Sequence, residues 1–308
     1  MTTKRIAVCS MKGGVGKSTT VMMLADTLTY HQGAQILVID LDAQANCGQM
    51  LLGFDGLRIA EASGHTITHW VDCLARGVRA DFFGSITTGV SGLNEVKNGS
   101  RARSGAPLPG QTSILASSPR LRFAELAFDH RHFNADDISA PRKTMVEQLS
   151  KAMRSLGNEY DYIIFDCPPG FTTIAQAALC VSDAIITPLL EDPVSLWSLK
   201  TLRDFGLKRE LNIWDKERHR ILFTRVTQRG AINERSRVRQ DAMLAGFETL
   251  GVSIPDASEA LRWSQRPDSE SYRTFNGKYA GLAGIVEQLG KDVVAFTRPK
   301  NEVEHERR

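Results

Sequence analysis

Residues 10–19 have the sequence Ser-Met-Lys-Gly-Gly-Val-Gly-Lys-Ser-Thr, a glycine-rich loop that contains two lysines. A short, mostly apolar segment at residues 5–10 leads into the loop, and a helical apolar pattern from Val21 to Tyr30 follows it. This order predicts a strand, a loop and a helix. In such a loop, backbone N–H groups and the positive end of the helix dipole converge on an anion. The segment therefore predicts a phosphate-binding loop.

The residue types in the loop fit the parts of a triphosphate. Glycines allow the backbone to approach phosphate oxygens, a lysine reaches the β- and γ-phosphates, and a hydroxyl binds Mg²⁺. The spacing assigns the lysine role to Lys17 and the hydroxyl role to Ser18, with Thr19 as a second hydroxyl. The alternative is a glycine-rich turn with a solvated lysine, which the strand before it and the helix after it disfavour.

The loop departs from the ordinary Walker A pattern, because Met11 stands where that pattern has glycine. The segment Lys12-Gly-Gly-Val-Gly-Lys-Ser18 instead resembles the deviant Walker A motif of the ParA/MinD family of P-loop ATPases, which has a signature lysine at the position of Lys12. The resemblance implies ATP and Mg²⁺ as cofactors, and a homodimer with ATP in which Lys12 reaches the nucleotide of the partner subunit. The nucleotide-binding residues that it implies are Lys12, Gly13, Gly14, Val15, Gly16, Lys17, Ser18 and Thr19.

Two aspartates follow the second predicted strand, Gln35–Asp40, which begins after the helix is expected to end at Gly33. Open α/β sheets bind ligands at the carboxyl ends of their strands. The sequence Asp40-Leu-Asp-Ala-Gln44 is similar to the family's DxDxQ motif, although Ala43 replaces the proline common there. The resemblance implies that Asp42 orients or deprotonates the attacking water and that Asp40 supports the magnesium shell. The alternative for both aspartates is capping of the strand end.

A third segment, from Tyr160 to Gly170, contains an apolar strand that ends at Asp166 and is stopped by two prolines. It resembles the family's Walker B motif. The resemblance implies that Asp166 holds Mg²⁺ indirectly, through water or the Ser18 hydroxyl. Together the three motifs predict an ATPase with weak intrinsic turnover. The resemblance implies Lys12, Lys17 and Asp42 as catalytic residues, and a metal site that contains Ser18, Asp40 and Asp166.

Further apolar segments alternate with helical patterns along the chain. Strands are predicted at residues 113–116, 162–165, 184–188 and 220–224. This alternation favours an α/β fold with a doubly wound, mostly parallel sheet and helices on both faces. The predicted organisation is one P-loop ATPase domain over residues 1–297, an irregular, insertion-like region at 54–111 with a flexible loop at 97–110, and a polar tail at 298–308.

Composition limits the class of protein. The chain has 308 residues, of which 42% are hydrophobic and 24% charged, and its net charge of +3 indicates no overall basic surface. Its five cysteines are an odd number without a CxxC pair, so neither a disulfide framework nor a zinc site is indicated. No apolar run reaches the roughly 18 residues that a spanning helix requires. These features predict a cytoplasmic protein.

Basic residues are concentrated between Lys216 and Arg239. Eight basic and two acidic residues give this segment a charge of +6. Related proteins place basic DNA contacts in their C-terminal half, so the resemblance implies a surface here for nonspecific double-stranded DNA and an association with the nucleoid. The predicted DNA contacts are Arg225, Arg229, Arg235 and Arg239. The alternative is a solvated charged face.

The resemblance implies a ParA-like ATPase that dimerises with ATP, binds nonspecific DNA and is released when a ParB-like or other adaptor protein stimulates hydrolysis. Such a cycle serves plasmid or chromosome partition, or the positioning of cargo. A MinD-like, membrane-associated positioning ATPase is the alternative, and a metabolic or reductase enzyme with the same loop is a third hypothesis. The membrane alternative depends on the helical apolar pattern from Tyr279 to Phe296. We assign that pattern to the core, because a mixed-charge tail without apolar anchors follows it.

Overall fold

A computed structural model describes residues 2–90, 93, 98–101, 107–226, 232–256 and 274–298. The strands are, in chain order, β1 (Lys4–Val8), β2 (Gln35–Asp40), β3 (Asn98–Arg101), β4 (Pro107–Pro109), β5 (Gln111–Leu115), β6 (Tyr162–Asp166), β7 (Ala184–Leu189), β8 (His219–Val226) and β9 (Glu248–Pro255). The α-helices are α1 (Lys17–Gln32), α2 (Asn46–Ala62), α3 (Ile67–Arg76), α4 (Leu121–His132), α5 (Ala140–Leu156), α6 (Thr173–Val181), α7 (Pro193–Thr201), α8 (Ile232–Leu244), α9 (Phe275–Tyr279) and α10 (Ala283–Thr297). A π-helical segment, Leu202–Glu210, continues α7.

Seven of the described strands form one sheet in the order β5-β2-β6-β1-β7-β8-β9, and all its neighbouring strands are parallel. The predicted doubly wound, parallel sheet is confirmed. Strand β1 lies inside the sheet, with β6 on one side and β7 on the other. The loop at residues 10–16 therefore leaves the carboxyl end of a central strand, which is where open α/β sheets bind their ligands.

The sheet is buried on both faces, and its side chains alternate between two apolar layers. In β2, Leu37 and Ile39 pack in the layer that contains α4, α5 and α6. Their neighbours Ile36 and Val38 pack in the opposite layer, against α1 and α10. The sheet therefore has helices on both faces, as the alternation of strands and helices along the sequence predicts.

Helix α1 extends the predicted helix toward the phosphate-binding loop. It begins at Lys17, four residues before the apolar pattern that starts at Val21. The apolar pattern misses the first turn because the residues of that turn are polar. It ends where predicted, since Gly33 adopts a left-handed conformation with φ 62° and donates its N–H to the carbonyls of Leu28 and Thr29.

The region 54–111 is more regular than predicted. It contains most of α2, all of α3 and the antiparallel pair β3–β4, which lies in the predicted flexible loop. The helical pattern of α2 is weak because Gly53 interrupts it with φ 66° and ψ 176°.

Strand β9 is not among the predicted strands. It lies at the edge of the sheet and is only partly buried, so its sequence lacks a continuous apolar run.

The C-terminal helices complete the layer around α1. Tyr279, Val286, Leu289 and Val293 are fully buried there, as the core assignment of this pattern predicts. Within the described ranges, no helix is long and apolar enough to cross a membrane. Residues 299–308 of the predicted tail lie outside the described residues.

A buried ion pair joins α1 to α9. The Lys278 ammonium lies 2.5 Å from Asp26 Oδ2, and the Tyr279 hydroxyl donates to the same oxygen at 2.5 Å. Asp26 and Lys278 are 1% and 6% exposed as side chains. The helix that carries the phosphate-binding loop is thus tied to the C-terminal part of the chain by a charged contact away from water.

Candidate nucleotide-binding site

The glycine-rich loop borders open space. Gly14 and Gly16 have φ of 72° and 89°, in the left-handed region that favours glycine. A Cβ atom at Gly13, Gly14 or Gly16 would meet no atom within 4 Å. Helix α1 begins immediately after the loop, and no side chain in the described residues caps its N-terminus. The N–H groups of its first turn therefore offer an anion-binding site.

A cavity of about 400 Å³ lies over this loop, within the usual size range of small-molecule sites. Its walls come from the loop and α1, from the segment after β2, and from the ends of β8 and β9. The predicted residues that line it are Gly13, Gly14, Gly16, Lys17, Ser18, Thr19 and Asp42. Of the other two predicted loop residues, Val15 is fully buried and Lys12 lies away from the lining.

Lys17 is one of the positive charges that line the cavity. Its side chain is buried, and Nζ lies 3.4 Å from the backbone oxygen of Lys12, to which it donates a hydrogen bond. Lys17 forms no ion pair with any of the described residues. A buried ammonium without a carboxylate partner is stabilised by an anionic ligand.

Asp40 and Asp166 are paired across β2 and β6, and both are fully buried. Burial raises the pKa of Asp40 well above its usual range, with the neighbouring Asp166 as the next cause. Burial also raises the pKa of Asp166, to about 6, although a hydrogen bond from Ser18 works against this. One oxygen of Asp166, Oδ1, has no hydrogen-bond partner among the described residues. Hard divalent cations such as Mg²⁺ prefer oxygen ligands. The two buried carboxylates and the nearby Ser18 hydroxyl provide such ligands.

The first turn of α2 holds both carboxylates in place. The backbone N–H of Gly48 donates to Asp40 Oδ2 at 3.1 Å, and the thiol of Cys47 donates to Asp166 Oδ2 at 3.2 Å. Ala45, just before the helix, has a left-handed backbone with φ 52°, which turns the chain toward the carboxylates. Within the described residues, no group of three or more His, Cys, Asp or Glu side chains is arranged to hold a metal by itself.

Asp42 lies at the wall of the cavity. It is 7% exposed, and its Oδ1 accepts a hydrogen bond from the backbone N–H of Gln44 at 3.0 Å. The backbone N–H of Asp42 donates to Asp40 Oδ1 at 3.1 Å, which fixes the distance between the two aspartates. A carboxylate held beside the cavity in this way can orient a water molecule and accept its proton.

Lys12 is bound to a different element of its own chain. Its Nζ donates to Asp192 Oδ2 at 3.1 Å and to Ser195 Oγ at 3.0 Å. Asp192 also caps α7, because its Oδ1 accepts the N–H of Ser195 at 2.8 Å. Partial burial works to raise the pKa of Asp192, but hydrogen bonds from Ser195 and Lys12 outweigh it and lower that pKa.

The carboxyl end of β8 contacts the phosphate-binding loop. The Thr224 hydroxyl donates to the backbone oxygen of Val15 at 2.8 Å. Arg225 donates through Nη1 to the backbone oxygen of Gly14 at 3.3 Å, and both residues line the cavity.

The four arginines predicted to contact DNA have different positions. Arg225 faces the cavity, whereas Arg239 is held in an ion pair by Glu191, donates to Ser253 Oγ at 3.2 Å and lies 4.6 Å from the Phe223 ring. Arg235 lies on α8, but its side chain is outside the described residues. Arg229 is outside the described residues altogether.

Several site residues were not predicted from the sequence. Cys47, Gly48, Thr224 and Asp192 act through contacts with residues distant in the chain, which no local motif reveals. Asp192 offers the one usable sequence signal, since an aspartate directly before Pro193 is typical of a helix N-cap.

The chain is similar in sequence to known proteins. A family model described as an AAA domain matches residues 3–209. A ParA family protein from Chlamydia pneumoniae is 26% identical over 202 residues, which are 66% of this chain and 64% of that protein. The sporulation initiation inhibitor protein Soj from Bacillus subtilis is 28% identical over 200 residues, 65% of this chain and 63% of Soj. The chain thus spans less than two thirds of the length of these curated relatives.

A solved structure extends the similarity in fold to nearly the whole chain. The ATP complex of a McdA variant from Cyanothece has a TM-score of 0.66 and 19% identity, over 95% of this chain and 96% of that one. At this identity, the comparison concerns the fold alone.

Proposed function

Because the chain belongs to the ParA/MinD family of P-loop ATPases, we propose that it binds ATP with Mg²⁺ at this site and hydrolyses it slowly. One observation carries the proposal. Lys17, Ser18, Asp40, Asp42 and Asp166 come together at the carboxyl ends of the three adjacent strands β1, β2 and β6, beside one cavity. A McdA variant of the same fold was solved as a complex with ATP.

Phosphoryl transfer requires positioning and neutralisation of charge more than covalent chemistry. The N–H groups of the loop and the Lys17 ammonium bind the β- and γ-phosphates. Ser18, with Asp40 and Asp166 behind it, holds Mg²⁺, which when bound neutralises phosphate charge. Asp42 orients the attacking water and accepts its proton.

Hydrolysis is coupled to dimerisation in this proposal. Lys12 is bound to Asp192 outside the cavity of its own chain, so it must leave Asp192 to reach a nucleotide in a second copy. Binding of ATP favours a homodimer in which each Lys12 contacts the partner's nucleotide. A ParB-like or other adaptor protein then stimulates hydrolysis and separates the subunits.

The ATP-bound dimer binds nonspecific double-stranded DNA and so associates with the nucleoid. The segment from Lys216 to Arg239, with its charge of +6, supports this assignment. Arg229, Arg235 and Arg239 remain its proposed contacts, although Arg239 would have to leave Glu191 to serve. The cycle of DNA binding and release serves plasmid or chromosome partition, or the positioning of cargo. A relative from Myxococcus xanthus is named as a chromosome partitioning protein.

The test is binding of a random-sequence duplex with ATP and Mg²⁺, with ADP and Mg²⁺, and without nucleotide, across a salt series. We expect binding with ATP only, and a log affinity that falls with log salt at a slope of about −0.9 for each phosphate contacted. Lys17→Ala is the matched control, because it removes the phosphate-binding charge and should abolish the ATP effect. Binding that does not depend on the nucleotide would contradict the coupling.

Sedimentation with liposomes, beside the duplex assay, decides between DNA and a membrane surface. The apolar face of α9 and α10 packs against α1, with Val286, Leu289 and Val293 fully buried, so this face is occupied by the core and not offered to lipid. We therefore expect no sedimentation with anionic liposomes under ATP. Sedimentation without DNA binding would overturn the DNA assignment.

A further inference from the structure

Arg225 has a backbone conformation that its side chain disfavours. Its φ is 53°, in the left-handed region, although it lies within strand β8. Bulky residues rarely adopt this conformation, because Cβ crowds the backbone. Such strain persists only where the surrounding structure imposes it, and it is concentrated at ligand sites.

Hydrogen bonds on both sides hold Arg225 in this conformation. Before it, the Thr224 hydroxyl donates to the backbone oxygen of Val15. After it, the backbone oxygen of Val226 accepts the N–H of Asp256 at 2.9 Å. The register between β8 and β9 shifts between Phe223 and Val226, so the strand turns at Arg225. This turn directs the side chain toward the phosphate-binding loop.

The guanidinium has donors left for a ligand. One of its five N–H groups is used on the backbone oxygen of Gly14, at 3.3 Å. Arg225 is exposed and forms no ion pair within the described part of the chain. Arg239, by contrast, is neutralised by Glu191. Among the described residues, Arg225 is therefore a positive charge at the cavity wall that forms no ion pair with a carboxylate.

The position of Arg225 matches the charge that a nucleotide carries. It lines the same cavity as Lys17, whereas Lys12 is held outside that cavity by Asp192. We infer that Arg225 is a nucleotide-contacting residue, whose guanidinium binds the phosphate chain of the nucleotide in its own subunit, and that it does not bind DNA. This inference rests on the proposed nucleotide binding.

A contact with DNA is incompatible with this position. The guanidinium lies against the backbone of the loop, at the wall of a cavity of about 400 Å³ that a nucleotide would fill. A nucleotide in the cavity covers Arg225 in the state that is proposed to bind DNA. The planar, bidentate guanidinium is also the side chain best suited to phosphate oxygens next to a backbone carbonyl.

Because the backbone of Arg225 is strained, a substitution there can weaken nucleotide binding without lowering the stability of the protein. In Arg225→Gly, the left-handed backbone carries no steric cost, so the melting temperature without nucleotide should stay the same or rise. The affinity for AMPPNP with Mg²⁺, measured by calorimetry, should fall at least 10-fold, because the phosphate contact is lost. At saturating AMPPNP, the variant should bind a random-sequence duplex as wild type does.

Two control variants isolate the cause. Asn212→Gly relaxes a backbone with the same φ of 53° away from the cavity, and should leave AMPPNP affinity unchanged. Arg237→Ala removes an exposed positive charge from α8, outside the cavity lining, and should also leave that affinity unchanged. If Arg225→Gly melts lower than wild type, Arg225→Asn repeats the test, since asparagine tolerates a left-handed backbone and carries no charge.

The outcomes separate the inference from the function on which it rests. Wild-type AMPPNP affinity in Arg225→Gly or Arg225→Asn overturns the inference and leaves the ATPase proposal intact. Weaker DNA binding at saturating AMPPNP, with unchanged AMPPNP affinity, also overturns it and returns Arg225 to the DNA surface. If wild type itself does not bind AMPPNP, the proposed function and the inference fail together.

Discussion

The ammonium of Lys12 lies 3.1 Å from a carboxylate oxygen of Asp192, a residue 180 positions later in the chain. Asp192 is the N-cap of α7, so the phosphate-binding loop and the start of that helix are joined by one ion pair. The pair is about one-third exposed on both sides. An ion pair this accessible is worth about 0.5–1 kcal/mol, so it can restrain Lys12 and still release it on dimerisation.

Removing the charge of Asp192 should therefore favour the dimer. Asp192→Asn keeps an effective N-cap but loses the ion pair. Because each dimer breaks two such pairs, worth about 1–2 kcal/mol together, dimerisation with AMPPNP should need about 5- to 30-fold less protein. Sedimentation velocity across a concentration series measures this. Asp215→Asn, at another helix-capping aspartate, is the control and should change nothing. An unchanged dimerisation constant in Asp192→Asn would show that the pair does not restrain Lys12.

Asp42 is expected to act in hydrolysis and not in nucleotide binding. Asp42→Ala removes the carboxylate that faces the cavity, while Lys17 and the loop remain. ATP affinity should stay within about two-fold of wild type, and turnover should fall at least 100-fold, since general base catalysis contributes about 10²–10⁴. Phosphate release and calorimetry measure the two effects. Normal turnover would remove Asp42 from its assigned role.

The parts of the site that the sequence predicted are those set by local order. Asp40 and Asp166 end apolar strands, and Ser18 lies in the first turn of the helix that follows another. The carboxyl ends of parallel strands lie at one edge of the sheet. Position along the chain is then enough to place them. The same reasoning located Gly33 as the end of α1, because a glycine after a helical pattern is a local signal.

The parts that the sequence did not reveal depend on contacts between distant segments. Cys47 reaches Asp166 across 119 positions, and Arg239 pairs with Glu191 across 48. The charge run from Lys216 to Arg239 gave no sign that one of its arginines is neutralised and another faces the cavity. Charge density is a property of sequence, whereas the availability of each charge is set by the tertiary fold.

The buried pair between Asp26 and Lys278 should be important for stability. Lys278→Met leaves the Asp26 carboxylate buried without its cation, which costs about 3–5 kcal/mol of unfolding free energy. The double variant Asp26→Leu/Lys278→Met should cost less than the single one, because no lone charge remains. Urea unfolding measures both. Lys291→Met breaks a surface pair with Glu287 on α10 and should change stability by less than about 1 kcal/mol.

His219 should make the protein sensitive to acid. Burial, followed by repulsion from Arg220 and Arg203, lowers the pKa of His219 from 6.5 to about 3. Below pH 6.5 the unfolded chain takes up a proton that the folded His219 does not, so folding stability falls as the pH falls toward 3, by up to about 1.4 kcal/mol per pH unit. The ring has no compensating contact on one side, since Nδ1 is without a partner among the described residues, while Nε2 lies 2.7 Å from the Thr187 hydroxyl.

His219→Gln isolates this contribution, because glutamine retains a polar group for Thr187 but does not titrate. Whatever its stability at pH 7, the variant should lose stability less steeply than wild type between pH 6.5 and pH 4, as followed by urea unfolding at several pH values. His65→Gln replaces an exposed histidine and should keep the wild-type slope. If the unfolding free energy falls equally steeply with pH in wild type and His219→Gln, His219 takes up its proton in the folded state. The buried ring would then not be the source of the acid sensitivity.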